Sequence, residues 1–130
     1  MRKQYHFRPS ERGLQAWDVD KLVLLAEARP VEELPLAEIG EVDENWWYAY
    51  GEVPTVRSIA EHVALVEACD LSFPIIIDPE GRVMDGMHRV VKALTQGRTA
   101  IPARRLAALP EPDFVGVEPA DLPYPDPEGT

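Results

Sequence analysis

The chain has 130 residues, in which 13 Lys and Arg face 23 Asp and Glu, for a formal net charge of −10. That length supports one modest core and excludes two. The acidity opposes the sequence-independent attraction on which DNA and RNA binding rests, so a DNA partner is disfavoured, whereas a compact phosphate held by a local group of Arg and His is compatible with it. No apolar run reaches the roughly 20 residues that cross a bilayer. The polar start MRKQYHFRPS lacks the apolar stretch of a secretory signal, and the single cysteine, Cys69, has no partner for an internal disulfide. The expectation is a cytoplasmic protein without membrane insertion.

In chain order, the basic start with Arg2, Lys3, His6, Arg8 and Arg12 reads as a solvated arm. Asp18 is placed to cap a helix over 20–28, with Leu22, Leu25 and Ala26 on one face and Pro30 ending it. Residues 34–39 alternate apolar and polar, as a half-buried edge strand does, before Gly40 breaks the pattern. The stretch 41–54 carries acids, Trp46, Trp47, Tyr48 and Tyr50, and reads as a long ordered loop. Its aromatic rings either pack on the body or stack on a base. A helix follows over 55–70, with Ser58 and Glu61 at capping-box spacing and Ile59, Val63 and Val66 on one stripe.

Residues 74–78 are β-branched and nearly all apolar, which describes a strand buried on both faces. The turn Asp78-Pro79-Glu80-Gly81 returns the chain, and residues 82–85 pair back on that strand. Gly86 then makes a corner into a helix over 88–96, with Val91 and Leu94 at helical spacing and Gly97 as its C-terminal stop. Residues 101–106 form a last strand, placed at an edge because Pro102 has no N–H to give. Beyond Leu109 the chain is rich in proline and acids and reads as an extended tail. The organisation expected is an arm and helix over 1–33, a domain over 34–108 and a tail over 109–130.

The segment Asp85-Gly86-Met87-His88-Arg89 carries the chemistry. A strand that runs through glycine straight into a helix presents free backbone N–H groups and the positive end of the helix dipole, and both favour an anion. Gly86 lets a phosphate approach the backbone, Met87 lies at the same corner, and His88 and Arg89 add side-chain donors. The structural alternative is a tight turn at Gly86, with Arg89 paired to an acid and His88 packed on the sheet.

These residues resemble the Gly-x-His-Arg motif of sulfiredoxins and the related Gly-Glu-Arg-Arg motif of ParB N-terminal domains. The order of elements from Leu34 to Leu106 is similar to that superfamily as well. The resemblance implies an α+β, ParB/sulfiredoxin-like fold, a small mixed sheet with packed helices. It implies a nucleotide or small phosphorylated ligand, with ATP, ADP or CTP and Mg²⁺ as cofactors and Arg57, Ser58 and His62 as further phosphate contacts. Each of these has a structural reading too: a solvated arginine, a helix cap and a core histidine.

Met87 stands where sulfiredoxins need a thiolate, and a thioether cannot be deprotonated, so sulfiredoxin activity is not expected. Cys69 reads as a small buried residue. The proline-rich acidic tail offers no helix-turn-helix of the partition proteins, so a DNA-partitioning accessory is the weakest reading. The free-serine kinases of the same superfamily make Mg²⁺-dependent NTPase or small-molecule kinase chemistry conceivable. Asp85, Glu61, Glu41, Asp43 and Glu44 are then the candidate carboxylates. Asp85 can hold Mg²⁺ or cap the motif helix, and Glu61 can serve the capping box instead. The alternative function is a non-catalytic regulatory module that binds a protein partner through the aromatic loop and the tail.

Overall fold

The computed structural model describes residues 3–124; Arg2 of the basic start and positions 125–130 of the tail lie outside the described residues. Seven strands and three α-helices follow one another as β1 (Tyr5–Arg8), β2 (Gln15–Asp18), α1 (Val19–Glu27), β3 (Val31–Pro35), α2 (Val56–Ala68), β4 (Ile75–Ile77), β5 (Val83–Asp85), α3 (Met87–Thr95), β6 (Ala100–Arg105) and β7 (Phe114–Val115). They build an α+β molecule with two sheets, ordered β1-β2-β7 and β3-β6-β4-β5. The larger sheet is mixed: β3 and β5 run antiparallel to their neighbours, and β4 runs parallel to β6.

The isoleucine run behaves as its composition demands. Ile75 and Ile77 face a core built with Val83, Met87, Val90 and Ala93, while Ile76 faces the opposite core with Trp17, Leu22, Met84 and Leu106. Alternation along one strand thus places α3 on one face of the larger sheet and α1 on the other. Asp18 caps α1 by accepting from the Asp20 N–H at 2.9 Å. Gly97, at φ 71°, ends α3, with its N–H donating to Leu94 and that of Arg98 to Ala93.

Several expectations require correction. The strand expected over 34–39 lies over Val31–Pro35, and Leu36–Glu38 is a 3-10 turn that drops Leu36 and Ile39 into the core. Strand β6 is interior, not an edge. It tolerates Pro102 because pairing with β4 begins only at Ala103, and an antiparallel ladder uses the N–H groups of alternate residues. On α1, Leu25 faces solvent while Leu22 and Ala26 are buried. On α3 the buried residues are Met87, Val90 and Ala93, and Leu94 is exposed.

Helix α2 is opened by Thr55, whose hydroxyl accepts from the Ser58 N–H, so the Ser58–Glu61 capping box does not form. The face turned to α3 carries Ser58, His62, Val66 and Cys69, and Ile59 and Val63 stand half exposed. Lys92 of α3 closes the far end by donating to the carbonyls of Glu67 and Cys69, as a cation at a helix C-terminus should.

The basic start is no solvated arm. Strands β1 and β2 bury His6, Ala16 and Trp17, and the tail docks on them: Trp17 Nε1 donates to the Pro110 carbonyl, the Asp18 N–H donates to Asp113, and Lys21 pairs with Asp113. The two sheets are tied by Asp78, which is buried. Its Oδ1 accepts from the N–H groups of Glu80 and Arg82, and its Oδ2 accepts from Arg8 at 2.9 Å. Burial pushes this carboxyl up, but the Arg82 amide, the Arg8 guanidinium and the Glu80 amide outweigh it and hold the pKa below the ordinary aspartate value.

Removing one partner of such a buried ion pair leaves the other uncompensated. Asp78→Ala is therefore expected to lower the unfolding free energy by about 3 kcal/mol in urea titrations. A loss under about 1 kcal/mol would show that Arg8 and the turn are held by other means.

Candidate functional site

The corner between β5 and α3 is built on glycine for a steric reason. Gly86 has φ 106°, and a Cβ there would lie 2.7 Å from Ile75 Cγ2 and 2.7 Å from Arg89 Nη2. Gly86 is also the N-cap of α3 and supplies no side-chain acceptor. The amides of the first turn, at Met87, His88 and Arg89, therefore have neither an intrahelical partner nor a capping side chain.

Arg89 folds back beneath this corner. Its Nη2 donates to Asp85 Oδ2 at 3.2 Å and to the Pro74 carbonyl at 3.4 Å, while its Nε is buried with no partner. Burial pushes the Asp85 carboxyl above the ordinary range, and Arg89 and the Gly86 amide only partly offset this. Asp85 thus neither caps α3 nor stands free to receive Mg²⁺. Among the described residues no three His, Cys, Asp or Glu side chains converge to hold a metal ion.

His88 and His62 meet at this end of α3. His62 Nδ1 and His88 Nε2 lie 2.9 Å apart, so one imidazole donates and the other accepts. Trp47 covers the pair, with ring centroids 4.3 Å from His62 and 4.8 Å from His88. The two imidazoles are 5.1 Å apart at 26°, which places them edge to edge on the same side of the indole. Tyr48 holds this loop to α2 through a 3.0 Å hydrogen bond between its hydroxyl and that of Ser58. Burial, then His62, then Arg89 pull the His88 pKa down to about 4. Burial also lowers that of His62, with Glu52 and Glu61 opposing it.

The residues singled out from sequence separate accordingly. Gly86, Met87, His88, Arg89 and Asp85 come together, and His62 and Ser58 reach the same region through Trp47 and Tyr48. Arg57 and Glu61 are exposed on α2, and their side chains make no hydrogen bond or ion pair among the described residues. Of the loop acids, Glu44 pairs with Arg82 at 3.2 Å, and Glu41 is buried with its Oε2 accepting from the Val83 N–H. Neither the imidazole pair nor the burial of Glu41 was anticipated. A four-residue spacing from Ser58 through His62 to Val66 marks the inward face of α2, but two of its three members are polar, so a search for an apolar stripe passes over it.

Two outcomes test this geometry. Gly86→Ala should cost about 3 kcal/mol of stability, from a left-handed backbone and a clash with Ile75, read by thermal or urea unfolding. The folded chain keeps His88 neutral down to about pH 4, whereas the unfolded chain takes a proton near pH ~6.5. Stability is then full above that upper value and declines as pH falls between the two. His88→Gln should reduce the slope in this part of the stability profile, leaving what is due to His62, whose pKa burial also lowers, and to His6, whose burial and Arg8 neighbour lower its pKa to about 3. An unchanged profile removes His88 as the cause.

Comparison with protein-family models, with curated proteins and with solved structures gives no match.

Proposed function

We propose that this chain is a non-catalytic, ParB/sulfiredoxin-like binding module that takes a small phosphorylated ligand, a nucleotide such as ATP, ADP or CTP, at the N-terminus of α3. The observation that carries this reading is an uncapped helix start directly above a guanidinium, with Gly86 removing the side chain that would separate them. Donors of the first turn and Arg89 could then share one phosphate. Arg89 would exchange Asp85 for the incoming oxyanion, which would replace the single 3.2 Å contact that Asp85 makes with the guanidinium.

The same observations argue for binding over turnover. Phosphoryl transfer needs charge neutralisation and an oriented acceptor, yet Asp85 is engaged by Arg89 and Glu61 stands exposed on α2. Mg²⁺ does not fit a carboxylate already occupied in this way, and no step is assigned to it. A net charge of −10 keeps a DNA-partitioning role the least favoured reading.

Calorimetric titration with ATP, ADP, CTP and GTP, each with Mg²⁺, tests the proposal. At least one should give saturable heat without release of phosphate. Arg89→Ala should weaken binding by about tenfold or more, the value of a charge-assisted hydrogen bond. Asp85→Asn should strengthen it by removing the competitor. Absence of binding by all four nucleotides defeats the reading, and phosphate release above background would make the protein an enzyme. Weaker binding by Asp85→Asn would mean that the carboxylate assists the ligand.

A further inference from the structure

The groove beside the corner has the opposite electrostatic character. It is open, about 220 Å³ in volume, and lies between the loop carrying Trp46, Trp47 and Tyr48 and the α3 side chains that begin with Met87. Glu41 and Glu44 line it. We propose that this groove binds an alkylammonium cation, with the Glu41 carboxylate as counter-ion and the three aromatic rings as walls. The proposal is independent of the phosphate reading, which uses the first-turn amides of α3 and Arg89, a residue that does not line the groove.

The argument starts from Glu41. It is 4% exposed, makes no ion pair among the described residues, and has the Val83 N–H as its hydrogen-bond donor. The other carboxylates held in the body are answered by cations, Asp78 by Arg8 and Asp85 by Arg89. Glu44, at the rim, is answered by Arg82. A buried carboxylate without a cation is costly, and the groove is where its missing charge can enter. The solvent-sealed side-chain atoms without partners are Arg8 Nη2 and Arg89 Nε, so the Glu41 oxygen not engaged by Val83 keeps an opening.

The walls specify the kind of cation. Trp46 is stacked on His6 at 5.7 Å, and Trp47 on the imidazole pair, so both indoles are fixed before any ligand arrives. Fixed aromatic faces attract an organic cation through their quadrupoles while covering its methylenes. A guanidinium is matched less well, since it prefers two carboxylate oxygens and one of these is held by Val83. A metal ion would lack ligands, because no third ligating side chain converges here. The strongly acidic surface raises the local concentration of cations in general.

Tryptophan fluorescence titrations should use n-butylammonium, Nα-acetyl-lysinamide and neutral n-butanol at constant ionic strength. Saturation by the ammonium and not by butanol is expected. If acetyl-lysinamide saturates as well, the natural source is a lysine side chain; if only butylammonium does, it is a free amine. Glu41→Gln keeps an acceptor for Val83 and should weaken binding by about tenfold or more. Should that variant fail to fold, the Glu41 carboxyl carbon in the unaltered chain, observed by NMR, decides the matter: it should shift on addition of either saturating amine and not on addition of butanol. No saturation by either amine, an equal response to butanol, undiminished binding by Glu41→Gln, or an unmoved Glu41 carboxyl resonance on amine addition would each overturn the proposal.

Discussion

Because Ile75 and Arg89 fill the space beside Gly86, β5 can hand over to α3 only through a residue without a side chain. That handover sets the direction of α3, and its direction decides what each residue of the first turn does. Met87 points into the core, His88 reaches α2, and Arg89 turns back onto Asp85. The side chains most able to do chemistry are thus placed by a packing constraint one residue earlier. A larger residue at position 86 would disturb the sheet, the imidazole pair and the guanidinium together, since all three are supported from that point.

Local physics was legible wherever one pattern had no competitor. The isoleucine run, the Asp78 to Gly81 turn, the glycine corner and the Asp18 cap each followed from residue type and spacing, and the mixed α+β character followed from their order. Failures came where two patterns overlapped. On α2 the apolar residues Ile59 and Val63 suggested the inward stripe, whereas the face turned to α3 carries Ser58 and His62 beside Val66, and a hydrophobic pattern does not reveal its polar members. Pro102 suggested an edge because a lost N–H was counted without asking where the neighbouring strand begins. The β1-β2-β7 sheet joins residues about a hundred positions apart, and no local pattern in a four-residue strand reports such pairing.

The candidate site was legible as a set of residues but not as a state. Sequence placed Gly86, His88 and Arg89 at one helix end, yet it could not say that Asp85 would occupy the guanidinium or that His62 would occupy the imidazole. Both partners come from the same physical requirement: groups that leave water need another group to answer them. The anion site we propose would therefore begin closed. Any ligand must offer Arg89 more than Asp85 does, which a phosphate can do through several oxygens that reach the helix amides at once.

The buried carboxylates of Asp78 and Glu41 and the partly buried one of Asp85 show how an acidic chain distributes few cations. Asp78 takes Arg8 and with it ties the smaller sheet to the larger, and Asp85 takes Arg89 and keeps the corner neutral. Glu41 takes only an amide, that of Val83, although it lies among aromatic rings where a charge is poorly solvated. If folding alone had selected this position, a glutamine would serve Val83 equally well without the cost of a buried charge. The carboxylate is therefore better understood as half of an ion pair whose other half arrives from outside, and the fixed indoles beside it define the shape that half must have.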